Sequence, residues 1–240
     1  MIVFTAFLIF TPVIYSQVNV DIESGQVYSG YNDVRIPGDK GTLFSLSEEL
    51  KTDPSIFFRA RLGYTINSKH TVSLLYAPLT VEAKGQIDKS IIFEGTTFPP
   101  NEPLTATYTF NSYRLTYRYE IVQSDKIEFG LGVTAKIRDA VIKLKNNNQQ
   151  SEKTNTGFVP LINFNMLWKF HNRVGLLVEG DALAAPQGRA EDVLAALTFR
   201  MSDKVALKAG YRILEGGADN DEVYTFSLFN YAVAGLILEL

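Results

Sequence analysis

The chain of 240 residues contains no cysteine. That excludes a disulfide framework and any cysteine-ligated zinc, without naming a compartment. A basic field is also missing. Lys and Arg total 23 against 26 Asp and Glu, a formal net charge of −3, so nothing here favours nucleic acid as a partner. Beyond the N-terminus no run of 18 apolar residues occurs, and no spanning helix is expected there. Histidine is scarce, with only His70 and His171, which narrows the room for acid–base chemistry.

Aromatic residues are plentiful, with 12 Tyr and 16 Phe, and they alternate with charge. In "NSYRLTYRYE" (111–120), Tyr113, Leu115, Tyr117 and Tyr119 occupy one parity, and Arg114, Thr116, Arg118 and Glu120 the other. Successive side chains of a strand point to opposite faces, so period two sorts residues by face. After "QSDK" the alternation resumes, with Ile127, Phe129, Leu131 and Val133 opposed to Glu128, Gly130, Gly132 and Thr134. This reads as two long strands joined by a tight hairpin.

The same rhythm predicts ten strands: 17–31, 55–66, 70–84, 104–122, 126–143, 157–170, 173–184, 191–201, 204–214 and 223–239. Short connections at 67–69, 123–125, 171–172 and 202–203 alternate with longer ones such as "KNNNQQSEKTNT" and "LEGGADNDE". A further apolar run, 90–93, would extend a hairpin beyond the barrel.

Alternation does not say which face is inside. A soluble ligand-binding barrel puts its apolar face inward, and a membrane barrel puts it outward. Three features favour the membrane. Strands such as 104–122 exceed the usual globular length. Short and long connections alternate. Rings form two bands: Tyr64, Tyr119, Phe129, Trp168, Phe170 and Phe199 near the short turns, and Tyr28, Tyr76, Tyr108, Phe158, Tyr211, Tyr224 and Phe226 near the opposite ends. The expected fold is all-β, an up-and-down antiparallel transmembrane β-barrel of ten strands. Residues 17–240 form the barrel domain. The apolar stretch "MIVFTAFLIFTPVIYS" (1–16) is expected to be a signal peptide, although no Lys or Arg precedes its apolar run.

The charged face then lines the lumen. The expected inward cations are Arg59, Arg61, Arg114, Arg118 and Lys136, followed by Arg138, Lys169, Arg200, Lys208 and Arg212. The expected inward acids are Asp21, Glu23, Glu120, Glu128, Glu179 and Asp181. Arg114 and Arg118 are expected to pair with inward carboxylates such as Glu120, Glu128 or Glu179. Two outcomes stay open: a plug of ion pairs, or a narrow pore that prefers anions because cations outnumber acids in this set.

With its hairpin rhythm, strand pattern and N-terminal segment, the chain resembles the small outer-membrane β-barrel proteins of Gram-negative bacteria. The terminal strand "YAVAGLILEL" looks like the one such proteins present to their assembly machinery, but it ends in Leu240 rather than Phe or Trp. The resemblance implies insertion by that machinery with both termini in the periplasm, and contact with outer-membrane lipid and lipopolysaccharide. It implies no cofactor and no single activity. The family's enzymes, among them proteases and lipid-modifying acyl enzymes, use a histidine, but His70 and His171 both fall at expected periplasmic turns. The acidic loop "EGGADNDE" offers Asp219, Asp221 and Glu222 as oxygen donors, yet its spacing falls short of a full calcium loop, and no metal site is expected. The apolar residues Leu43, Phe44, Leu46 and Leu50 of the first long loop either cap the barrel mouth or meet a ligand. The reading adopted is a structural or surface-interaction barrel without catalysis. A narrow channel or small-solute transporter is the runner-up, and a lipid-modifying enzyme comes third.

Overall fold

The computed structural model describes residues 16–185 and 188–240, so the expected signal peptide, apart from Ser16, lies outside the described residues. Ten antiparallel strands make up the wall: β1 Ser16–Arg35, β2 Ser55–Ile66, β3 in two pieces (His70–Ala77 and Thr80–Gln86), β4 Pro103–Gln123 and β5 Ile127–Lys145. The rest are β6 Gln150–Lys169, β7 Val174–Ala185, β8 Gly188–Ser202, β9 Val205–Asp219 and β10 Tyr224–Glu239. Each pairs with its sequence neighbours, and β10 pairs with β1 from Asn19↔Glu239 to Arg35↔Tyr224, which closes the barrel. Closure gives the strands internal partners for their backbone donors and acceptors, the condition for a sheet to sit in lipid. Ser16 pairs with Ile66, and Leu240 bonds to Val18, so the start of β1 and the C-terminus lie at the end that carries the turns at 67–69, 124–126 and 170–173.

The strand positions match the alternation, but four ends do not, the first being β1, which runs on to Arg35. β6 begins at Gln150, β8 at Gly188 and β9 runs on to Asp219, so most of "KNNNQQSEKTNT" and "LEGGADNDE" is strand. The strict alternation of short and long connections therefore fails. Only 36–54 and 87–102 are long. Polar composition suggested loops there, but beyond the bilayer a strand meets water on both faces, and the backbone ladder needs no apolar side chains to continue.

The two long segments fold over the far mouth and bond to each other, Thr42 N–H to Ile92 O and Glu94 N–H to Ile36 O. Ile91–Phe93 and Thr96–Phe98 form a small separate ribbon, which turns inward instead of prolonging a barrel hairpin. Phe44, Leu46 and Leu50 pack with Phe93, Phe98 and Leu144 in one buried apolar cluster. Leu43 alone among the expected capping residues is exposed. This cap is an ordinary apolar core, continuous with inward apolar residues of the barrel wall such as Phe57, Leu214 and Phe229.

Outside, the parity argument holds. Leu115, Tyr117, Val133, Ile162, Leu197 and Tyr211 are exposed, while Arg114, Lys136, Asn163 and Arg212 are buried. The ring bands require one correction. Tyr108 is only 4% exposed; it shares the parity of Ser112 and Arg114 and faces inward. Tyr224 and Phe226 are half-buried and stack edge-on, 5.3 Å apart.

Candidate functional site in the lumen

Halfway along the barrel, five carboxylates and five cations form one network. Asp192, from β8, lies at its hub. It accepts from Arg59 Nη2 of β2 (2.9 Å), Arg114 Nη2 of β4 (2.6 Å) and Arg212 Nη1 of β9 (2.6 Å). Arg114 also reaches Asp181 of β7 at 2.7 Å, and Arg212 reaches Glu23 of β1 at 2.7 Å. Lys208 Nζ donates to Asp21 and Glu23, each at 2.6 Å, and Arg61 Nη1 donates to Glu179 at 2.7 Å. Neutral groups complete it: Thr134 Oγ1 and Asn163 Nδ2 donate to Asp181 Oδ1 at 2.6 and 2.9 Å. Many of these bonds join strands that are not neighbours, so they cross the lumen instead of running along the wall.

Burial in such a layer is costly unless every charge is matched. Matching is close here, since Asp21, Glu23, Glu179, Asp181 and Asp192 face Arg59, Arg61, Arg114, Lys208 and Arg212. Asp21, Glu23 and Glu179 converge as a metal site would, but the Lys208 ammonium stands among them and supplies the positive charge itself.

The remaining charged residues sit apart from this layer. Arg118 Nε bonds to Glu120 of its own strand at 2.7 Å. Gly130 makes room for that pair, because a Cβ there would lie 2.5 Å from Glu120 Oε2. Lys169 pairs with Glu128 near the turn end, and Arg200 is exposed at the rim. Lys169 and Arg200 border a vestibule of about 540 Å³ that opens at the turn end. Lys136 and Arg138 lie on the far side of the layer, beside a second cavity. Arg114 binds two inward carboxylates, Asp181, which is among the expected acids, and Asp192, which is not. The expected excess of cations also shrinks once Asp192 is counted. That residue shares the parity of Arg200, eight positions on, and the same alternation that placed Arg200 inward would have found it.

Both histidines lie at the turn end. His70 Nδ1 is 2.9 Å from the Tyr117 hydroxyl on the exposed outer wall, and His171 belongs to the β6–β7 turn. In the acidic loop, Asn220 Oδ1 accepts from the backbone N–H groups of Glu222 and Val223 and closes a tight turn. Asp219 stands 3.9 Å from Arg35.

A closed ten-stranded wall, an exposed apolar belt and a buried ionic interior are now in place. No family model matches the chain, and neither does any curated protein sequence. Solved structures do match. The outer membrane protease OmpT of Escherichia coli aligns over 93% of this chain and 97% of its own, with TM-score 0.58 and 9% identity. The chain has the closed antiparallel fold of an outer-membrane β-barrel. Other matches to this barrel are weaker in geometry. Ail, the attachment invasion locus protein of Yersinia pestis, covers 93% and 99% of the two chains at TM-score 0.41 and 11% identity. An outer membrane channel from Pseudomonas putida F1 covers 93% and 95% at TM-score 0.43 and 9% identity. At such identities the likeness is one of fold alone, and these proteins differ in what they do.

Proposed function

We propose that residues 17–240 act as one non-conducting scaffold domain in the outer membrane, which holds its far-end hairpins and cap rigidly for structural or surface-interaction roles. The ionic layer carries this reading. Six strands (β1, β2, β4, β7, β8 and β9) are tied together by side chains that bond across the lumen at mid-height. A barrel of this size is only slightly wider than those whose side chains fill the interior. In this reading Arg59, Arg61, Arg114, Glu179, Asp181, Lys208 and Arg212 form the plug. Arg118, Glu120, Glu128, Lys169 and Arg200 belong to the vestibule below it, and Lys136 and Arg138 to the chamber above. The exposed belt meets outer-membrane lipid, with lipopolysaccharide in the outer leaflet, and the assembly machinery inserts the chain from the periplasm. Catalysis of the histidine-dependent kind is disfavoured because both histidines lie at the turn end, away from the capped mouth.

The test is single-channel recording of the purified protein in a planar bilayer. The expected trace is flat, without unitary steps. Steady unitary steps with anion preference would replace this reading by the narrow-channel one.

A further inference from the structure

Between the ionic layer and the far end lies a cavity of about 380 Å³, within the roughly 300–1,000 Å³ typical of small-molecule sites. Much of its wall is apolar, including Phe110, Ile142, Leu183, Leu214 and Phe229. Two cations from alternate positions of β5 also face it. Lys136 is 3% exposed, lies 4.7 Å from the Phe110 ring centroid, and has neither a hydrogen bond nor an ion pair among the described residues. Arg138 bonds to Asn155 through Nη2, but its Nε is buried without a partner. The other two cations at the rim are already paired, Lys153 with Glu94 and Arg189 with Glu215. A buried charge without a partner is costly, so this chamber has a place for negative charge that the described residues leave unfilled.

The wall beside it is also open. β6 pairs with β5 along its whole length, from Gln150 to Lys169, but with β7 only from Ile162 to Lys169. The β7–β8 hairpin ends early, where Ala185 pairs with Gly188. Among the described residues, Gln150–Leu161 therefore has one unpaired edge. Pro160, which has no N–H to give a second ladder, stands two residues beyond Ile162, the last residue paired with β7. Lys153, Asn155 and Val159 of that edge border the cavity, and Phe158 faces outward next to it.

We propose that the chamber binds a small amphipathic anion. Its carboxylate or phosphate head lies between Lys136 and Arg138, its apolar body lies against Phe110, Leu214 and Phe229, and it enters beside the free edge of β6. Inorganic phosphate alone would leave the apolar walls uncovered, and a neutral hydrocarbon would leave the two cations unmatched. The same chemistry could arrive as a free fatty-acid-like anion from outside or as a single-chain anionic lipid from the membrane. The inference goes beyond the scaffold reading and does not depend on it, since the chamber lies above the ionic layer.

The experiment uses the full barrel in phosphatidylcholine nanodiscs. Equilibrium dialysis of radiolabelled decanoate against empty nanodiscs reads the free anion. Native mass spectrometry of nanodiscs doped with lysophosphatidic acid reads the membrane source. Saturable binding is expected for at least one of the two, none for decanol, and a loss of about tenfold in affinity with Lys136→Met or Arg138→Gln. Heat-modifiable gel migration checks that each variant is folded. Should Lys136→Met not fold, Arg138→Gln and the chamber-filling Leu214→Trp carry the test. Binding of decanoate alone assigns a solute, and binding of lysophosphatidic acid alone assigns a lipid. Equal binding of decanol, wild-type affinity in the folded variants, or no saturable binding of either probe would overturn the proposal. A barrel that conducts ions yet binds decanoate would refute only the scaffold reading.

Discussion

Replacing Asp192 with Asn keeps the side-chain shape and removes one charge from the ionic layer. Arg59, Arg114 and Arg212 all donate to this carboxylate. None is left alone by the change, because Arg59 keeps Glu23 at 3.4 Å, Arg114 keeps Asp181 and Arg212 keeps Glu23. The cost should therefore match one broken buried pair, about 3–5 kcal/mol, and not three. At about 1.4 kcal/mol per factor of ten, the folded-to-unfolded ratio falls by at least two orders of magnitude. Reversible urea unfolding in phosphatidylcholine vesicles, followed by the fluorescence of Trp168, measures it. Arg59→Met on the Asp192→Asn background restores the balance of charge. Glu23 still has Arg212 and Lys208, so the double variant should lose less than the sum of the singles, with a coupling of about 0.5–3 kcal/mol. A cost below about 0.5 kcal/mol for Asp192→Asn, the level of an ordinary surface change, would refute the view that the layer is matched charge by charge.

Epitope tags inserted in the turns at 146–149 or 220–223 should be labelled on intact cells, whereas one at Ser124 should not; labelling at Ser124 in unbroken cells would invert the topology. Cysteine at 115 or 117 should react with a lipid-soluble maleimide in reconstituted bilayers and resist a bulky polar one, while cysteine at 114 should resist the lipid-soluble reagent; the reverse pattern would put the charged face outside. Phe44→Ala opens a void in the cap and should cost about 3–5 kcal/mol in the same urea assay; a loss under about 1 kcal/mol would mean that the cap is not packed as a core.

How far the sequence reached can be judged strand by strand. Alternation placed Leu115 and Tyr117 outside and Arg114 inside, because period two is a local property that each strand carries by itself. It located all ten strands for the same reason. It misjudged "KNNNQQSEKTNT", where polar residues continue a strand in water, and a parity slip put Tyr108 among the outer rings. Who meets whom across the lumen was beyond it. Arg59 and Asp192 are 133 positions apart, and their meeting depends on strand number, tilt and register, which only the closed sheet defines. The same holds for the unpaired Lys136 and the free edge of β6. A lysine of inward parity is visible in the sequence, but whether a carboxylate faces it is decided by the strands opposite. The amino-acid order thus determined the faces and the wall. The tertiary structure decided the pairing inside it, because electrostatic contact acts through space while alternation is written along the chain.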